Sequence, residues 1–175
     1  QSKADLPGYT DVILKLCATA LRQHPMLQAQ WREEGLWLPD YFHIAFAVDT
    51  DAGLLAPVVR DAGKLTLAQI AEQTRYLTAQ ARAGKLTAEQ MVGATFTITN
   101  LGMFGIDAFT PIIHLPQCAV LGIGRIVREP AVFEGKVVAR HMLSLNLTFD
   151  HRIVDGAPAA RFLSVIREGL EQTNY

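Results

Sequence analysis

The sequence predicts a single α+β domain in which helices pack on one face of a mixed β-sheet. Apolar residues recur at helical spacing in some segments, such as Thr10–Gln23, and alternate with polar residues in others, such as Met142–Phe149. Half of the 175 residues are hydrophobic, which is enough for a substantial core, yet no apolar run is long enough to span a membrane. We therefore expect a layered domain of ordinary size.

In the first half of the chain, helices surround a pair of strands. Thr10–Gln23 is apolar nearly all round and is predicted to form a buried helix that ends before Pro25. Tyr41–Val48 and Leu54–Arg60 are predicted strands, joined by a turn over residues 49–53. Thr66 begins a second helix through a capping box with Gln69, and Gly84 ends it.

In the second half, strands dominate until the final helix. Thr87 and Gln90 repeat the capping signal for a short helix. Three strands are predicted: Ala94–Thr99, Cys118–Ile123 and Met142–Phe149. A hairpin is expected between residues 132–133 and 136–138, and a helix from Gly156 onward, with proline in its first turn.

Composition excludes several classes of function. A net charge of −1 provides no basic surface for nucleic acid or an anionic membrane. Cys17 and Cys118 do not form a Cys-x-x-Cys pair and no His-x-x-x-His occurs, so we expect no metal and two free thiols of a reducing compartment. The Gly122-Ile123-Gly124 segment lacks the third glycine of a dinucleotide-binding turn.

The segment Phe149–Gly156, F-D-H-R-I-V-D-G, contains the strongest chemical signal. His151 lies between Asp150 and Asp155, where a predicted strand gives way to a loop. Such a position can aim a histidine into a cleft as a general base, while the alternative is a packed or solvated residue at a strand end.

Three segments, in order, resemble the dihydrolipoamide acyltransferases of 2-oxo acid dehydrogenase complexes, within the chloramphenicol acetyltransferase-like superfamily. The first is G-L-L-A-P-V-V-R-D at Gly53–Asp61, followed by a helix up to A-R-A-G-K-L at Ala81–Leu86. The second is G-A-T-F-T-I-T-N-L-G-M-F-G at Gly93–Gly105, and the third is D-H-R-x-x-D-G. The resemblance implies an acyltransferase catalytic domain over residues 1–175, with the chloramphenicol acetyltransferase-like fold.

The resemblance also assigns roles to site residues. His151 would be the general base that takes a thiol proton, and Thr99 the hydroxyl that stabilises the oxyanion, where many members carry serine. The alternative for Thr99 is an ordinary strand threonine. Asp155 would brace the loop through an arginine that we expect in a basic segment ahead of Gln1.

Substrates follow from the same resemblance. Asn100, Phe109 and Leu121 would bind substrate, the last two as walls of a channel for pantetheine and lipoamide, although core packing is nearly as good an account of Leu121. The substrates would be coenzyme A and a lipoyl group carried on a separate lipoyl domain. The N-L-G-M-F-G-I-D-A-F stretch favours acetyl transfer, with succinyl and branched-chain groups left open.

The expected partners are those of the family. We expect a homotrimer with active sites between subunits, with a larger cage as a further option, working with the decarboxylase and dihydrolipoamide dehydrogenase components. We expect a bacterial cytoplasm, or alternatively a mitochondrial matrix or plastid. The rival functions are a non-catalytic structural subunit of the same complex, which retention of His151 disfavours, and a stand-alone small-molecule acetyltransferase.

Overall fold

The computed structural model describes residues 6–172 and contains three helices and eleven strands in that range. The helices are α1 (Tyr9–Gln23), α2 (Leu67–Arg82) and α3 (Gly156–Gln172). The strands are β1 (Gln30–Arg32), β2 (Gly35–Trp37), β3 (Ile44–Phe46), β4 (Val48–Thr50), β5 (Gly53–Leu55), β6 (Val58–Val59), β7 (Phe96–Asn100), β8 (Ala119–Ile123), β9 (Val127–Phe133), β10 (Lys136–Met142) and β11 (Leu145–Phe149). Single 3₁₀ turns occur at Pro25–Gln28, Ala88–Met91 and Gly102–Phe104. The predicted catalytic domain also includes residues 1–5 and 173–175, which lie outside the described residues.

The central sheet is mixed and has the strand order β11-β8-β7-β3-β6. The strands β8, β7 and β3 run parallel to one another, and β11 and β6 pair antiparallel with them at the two edges. Three hairpins surround this sheet: β1 with β2, β4 with β5, and β9 with β10.

The core lies between this sheet and the helices, which confirms the predicted α+β class. Alternate sheet residues such as Ile44, Phe96 and Leu121 share one buried cluster with helix residues such as Leu14 and Phe162. Because neighbouring residues of a strand point to opposite faces, one face of the sheet is committed to the helices. No helix within residues 6–172 combines the length and apolar character that a membrane crossing requires.

The predicted end of α1 and start of α2 are confirmed, and α1 begins at Tyr9, one residue before the predicted Thr10. Helix α1 ends at Gln23, and Pro25 begins a 3₁₀ turn. At the start of α2, the Thr66 backbone N–H donates to Gln69 Oε1 at 2.8 Å, and the Gln69 N–H donates to the Thr66 hydroxyl at 3.3 Å. Gly84 follows α2 with φ of +67°, a conformation that favours glycine.

The predicted strands are less accurate. Each of the segments 41–48 and 54–60 is divided into two short strands, because β4 and β5 leave the sheet to pair with each other. The segment 142–149 is broken at residues 143–144, where the Ser144 carbonyl accepts the Gly124 N–H at 2.9 Å. The β9–β10 hairpin has seven residue pairs rather than the predicted tip alone, and the β1–β2 hairpin was not predicted.

On the other face of the sheet, the segment that connects β7 to β8 packs closely against the end of β8. A Cβ atom on Gly122 would lie 3.0 Å from the Phe109 ring and 3.2 Å from Pro111, on the face opposite Leu121. A Cβ atom on Gly124 would lie 1.9 Å from the Asp107 carbonyl oxygen. Glycines therefore let this segment pack directly on backbone.

Gly124→Ala is expected to destabilise the fold, because its Cβ would overlap a backbone atom that no rotamer change can move. Overpacking of this kind costs about 1–3 kcal/mol or more. Urea denaturation should show that loss in the free energy of unfolding. Gly156→Ala is the control, since a Cβ at that position meets nothing within 4 Å. Equal stability of the two variants would contradict the packing described here.

Candidate active site

His151 projects from a turn that directly follows β11, the edge strand of the sheet. The Asp150 N–H continues the strand pairing by donating to the Cys118 carbonyl at 2.8 Å. The Asp150 carbonyl then accepts the N–H groups of Ile153 and Val154, at 3.0 and 3.1 Å, which reverses the chain before α3. His151 lies within this turn, and its side chain is 69% exposed.

Asp155 is the carboxylate that faces His151. Its Oδ1 lies 3.7 Å from His151 Nδ1, which is beyond direct hydrogen-bond distance, and its side chain is 83% exposed. The Phe149 ring packs beside the imidazole at 5.5 Å between centroids. Among the described residues no arginine pairs with Asp155, so its predicted arginine partner stays a prediction.

Asp150 is held by Arg152 across the histidine between them. The guanidinium Nη2 donates to Asp150 Oδ2 at 2.6 Å, and Nε donates to both carboxylate oxygens at 3.0 and 3.1 Å. These hydrogen bonds lower the pKa of Asp150. Arg152 also lies 5.5 Å from the centroid of the Trp31 ring. Sequence reasoning did not single out Arg152, although an acid two residues before an arginine is a visible signal.

Thr99 and Asn100 are the last two residues of β7. The Asn100 amide donates to the Thr10 hydroxyl at 3.0 Å, and its oxygen accepts the Gly102 N–H at 2.8 Å. Both residues line a cavity of about 630 Å³ that opens between α1, α2 and the β4–β5 hairpin. Phe46, Leu54 and Phe104 contribute apolar walls to this cavity.

Thr99 and His151 lie toward opposite ends of the sheet. Thr99 of β7 is paired in register with Gly122 of β8, and Gly122 is paired in turn with Asn146 of β11. Because β11 is antiparallel to β8, it ends at Phe149, which is paired with Ala119 at the start of β8. With about 3.3 Å per residue and 4.8 Å per strand, Thr99 and His151 are roughly 15–20 Å apart. One chain does not bring the two predicted catalytic residues together.

The two predicted channel residues lie on opposite faces of the sheet. Phe109 lies against Gly122. Gly122 is paired with Thr99, so Phe109 and Thr99 are on the same face of the sheet. Leu121 is fully buried in the core cluster with the helices. The prediction that Leu121 lines a channel is therefore wrong for this chain, and core packing is its role.

Neither cysteine is placed to act as a nucleophile. Both side chains are buried, and burial raises the pKa of the Cys118 thiol to about 11 and raises that of Cys17 as well. A buried neutral thiol is unreactive.

Over residues 6–172, no cluster of three or more His, Cys, Asp or Glu side chains forms a set of metal ligands.

Comparison with known proteins identifies the family. The model of the 2-oxoacid dehydrogenases acyltransferase (catalytic domain) matches residues 1–175. The chain belongs to this family. It is 43% identical over 157 residues, 89% of the chain, to the dihydrolipoyllysine-residue acetyltransferase component of the pyruvate dehydrogenase complex of Staphylococcus aureus. It is 42% identical over 164 residues, 94% of the chain, to the dihydrolipoyllysine-residue succinyltransferase component of the 2-oxoglutarate dehydrogenase complex of Haemophilus influenzae.

This acyltransferase chain spans 36% and 40% of the length of those two relatives. Among solved structures it matches the dihydrolipoamide acetyltransferase of Azotobacter vinelandii with a TM-score of 0.90 and 40% identity. That match covers 94% of the chain and 69% of the neighbour. In that enzyme the roles of a serine, a histidine and an asparagine in the catalytic mechanism have been investigated.

Two further solved structures are similar to this chain in fold. The cubic core of the pyruvate dehydrogenase multienzyme complex aligns with a TM-score of 0.90, 40% identity, and coverage of 94% of the chain and 69% of the neighbour. A chloramphenicol acetyltransferase aligns with a TM-score of 0.57 and 14% identity, over 93% of the chain and 78% of the neighbour. This last match shows the fold alone, and it confirms the predicted fold type.

Asn100→Ala should lower the free energy of unfolding by about 1–3 kcal/mol, because it leaves the Gly102 N–H and the Thr10 hydroxyl without their partners. Thr10→Val removes only one of these hydrogen bonds, and we expect a smaller loss of about 0.5–1.5 kcal/mol. Urea titration of both variants measures the difference. Unchanged stability in Asn100→Ala would exclude a role for Asn100 in joining β7 to α1.

Proposed function

We propose that this chain is the catalytic domain of a dihydrolipoyllysine-residue acyltransferase, with acetyl as the acyl group. The observation that carries the proposal is a match of spacing. The histidine studied in the A. vinelandii enzyme follows the serine by 52 residues and precedes the asparagine by four. His151 follows Thr99 and precedes Asp155 by the same intervals, with threonine and aspartate in place of serine and asparagine.

The proposed reaction is direct transfer of the acyl group between two thiols. The S–H proton of coenzyme A passes to the imidazole of His151 as the sulfur attacks the thioester carbonyl carbon of the acyl-dihydrolipoyl group. Nδ1 is on the side of Asp155, at 3.7 Å, and Nε2 is the nitrogen proposed to take this proton. The Thr99 hydroxyl donates a hydrogen bond to the carbonyl oxygen as it becomes negative.

Collapse of the tetrahedral intermediate completes the transfer. The bond from carbon to the lipoyl sulfur breaks, the new thioester with coenzyme A remains, and the departing thiolate recovers the proton from His151. The protein contributes no nucleophile, which agrees with the burial of both its cysteines. No acyl-enzyme is formed in this scheme.

The active site is proposed to lie between neighbouring chains of a homotrimer. Thr99 and His151 are at opposite ends of the sheet in one chain, so His151 would act with Thr99 of a neighbour. A head-to-tail contact repeated three times closes into a ring. The structural similarity to a cubic core is consistent with further assembly into a cage.

The proposed substrates and partners follow from the relatives. The cavity next to Thr99, of about 630 Å³, is of the size of a small-molecule site, and its apolar walls suit a pantetheine or lipoyl arm. The lipoyl group would be carried on a separate lipoyl domain, and the decarboxylase and dihydrolipoamide dehydrogenase components would complete the complex.

Succinyl transfer is the second candidate, because a succinyltransferase component is 42% identical to the chain, almost as similar as the acetyltransferase at 43%. A hydrophobic pocket distinguishes acyl groups by only about 1–3 kcal/mol per methylene. A few contacts therefore decide between these acyl groups, and between either of them and a branched-chain group.

His151→Ala should lower kcat by about 10²–10⁴, the usual effect of removing a general base. Initial rates with dihydrolipoamide are measured against acetyl-CoA and succinyl-CoA, and the preferred thioester identifies the acyl group. Exposed His141 of β10 provides the matched control as His141→Ala, which should keep wild-type rates. Because the His151 side chain is largely exposed, melting should not change. More than half of the wild-type activity in His151→Ala would overturn the proposal.

Mixed trimers test whether neighbouring chains share the site. Thr99→Ala alone should lower kcat by about 10–10³, the range for a weak oxyanion donor. Co-expression with His151→Ala should restore roughly a quarter of wild-type activity, because one interface in four then has both groups. Activity is compared with that of each variant expressed alone. No recovery on mixing would place both residues in the same chain's site.

A further inference from the structure

The turn that presents His151 is held by an ion pair between its two neighbours in sequence. Within residues 6–172, the Asp150 carboxylate accepts hydrogen bonds only from Arg152: one from its backbone N–H at 3.0 Å and the rest from its guanidinium. The Asp150 side chain is only 16% exposed, whereas that of Arg152 is 64% exposed. In this ion pair the Asp150 carboxylate is therefore largely buried, whereas the Arg152 guanidinium is exposed to solvent.

Trp31 supports the arginine from a separate element. The Arg152 guanidinium carbon lies 5.5 Å from the centroid of the indole ring, within the range of a cation–π interaction. Trp31 belongs to β1, whose Gln30 forms a β-bridge with Gln117 at the entry to β8. The contact therefore joins the turn to an element that is itself fastened to the central sheet.

This arrangement keeps the Asp150 carboxylate away from His151. Both of its oxygens bind Arg152, so the carboxylate that faces the imidazole is Asp155 instead, at 3.7 Å. Two acids flank the histidine in sequence, but an arginine neutralises one of them. The charge that the imidazole meets depends on that arginine.

We propose that Arg152, supported by Trp31, is a positioning residue for the base: it fixes the turn and prevents Asp150 from pairing with His151. The proposal rests on the assignment of His151 as the base. It adds two residues, Arg152 and Trp31, whose proposed effect on the reaction is exerted only through the histidine.

The proposal predicts the direction in which the pH–rate profile shifts when Arg152 is removed. Without Arg152, the anionic Asp150 carboxylate can turn toward the imidazole and, together with Asp155, favour its protonated form. A protonated imidazole cannot accept the thiol proton. The acidic limb of the pH–rate profile should then move to higher pH, and removing the Asp150 charge should move it back.

Four variants of the assembled protein test this. Arg152→Gln should lower kcat by about 10–10²-fold, as expected for a misplaced catalytic group, with KM for both substrates within about twofold. Its acidic limb should rise by roughly 0.5–1 pH unit. The double variant Asp150→Asn with Arg152→Gln should return the limb to its wild-type position. Trp31→Phe should retain most of kcat, whereas Trp31→Leu should lose part of it.

Arg167→Gln is the matched control, because Arg167 also forms exposed ion pairs, with Glu168 and Glu171, but lies along α3. It should leave kcat and the pH profile unchanged. Circular dichroism and melting show whether each variant is folded. A purely structural role for Arg152 would lower activity without moving the acidic limb, and the double variant would restore nothing; that result overturns the proposal.

A second measurement does not require activity. Diethylpyrocarbonate modifies neutral imidazole, and peptide mass spectrometry gives the modification rate of His151 as a function of pH. The midpoint should rise in Arg152→Gln and return in the double variant. An inactive wild type with this shift would refute the proposed function but support the positioning role. An unchanged midpoint would refute the positioning role whatever the activity.

Discussion

The pairing of β8 with β7 on one side and β11 on the other is the constraint on which the candidate site depends. It sets Thr99 level with Gly122 and Asn146, and it carries β11 away to the opposite end of the sheet before His151. A slip of one residue would turn every side chain of a strand to the other face. Leu121 would then leave the core, and Gly122 would no longer admit Phe109. The register thus fixes both the fold and the positions of the predicted site residues.

The two faces of this sheet are packed differently. One face buries large apolar side chains against the helices, where apolar surface removed from water stabilises the domain. The other face is approached closely by the connection between β7 and β8, at positions where only a hydrogen stands on the glycine Cα. Thr99 and Phe109, two of the predicted site residues, belong to this second face. The two faces are therefore packed in different ways, by large apolar side chains on one and by close approach to glycine backbone on the other.

Local signals predicted local features well. The capping box of Thr66 and Gln69 and the glycine after α2 are decided by residues close in sequence, and both occur as expected. The strands depend on distant partners, which explains why predicted long strands are observed as shorter ones that change partners. The segment A-V-L-G-I is apolar throughout, so nothing in it could indicate that Leu121 faces the helices. The motif around His151 located the candidate base but did not reveal the pair of Asp150 with Arg152, which depends on the geometry of the turn.

The separation of Thr99 and His151 has a genetic consequence under the proposed sharing of sites. Each chain would serve two sites, one through its histidine and one through its threonine. A subunit defective in both groups would therefore silence two of the three sites in a ring that also holds two sound subunits. In a cell that makes sound and doubly defective chains in equal amounts, only about a quarter of the sites would survive rather than half. Alleles of this kind would act dominantly, and the loss would be greatest for chains that fold and assemble perfectly.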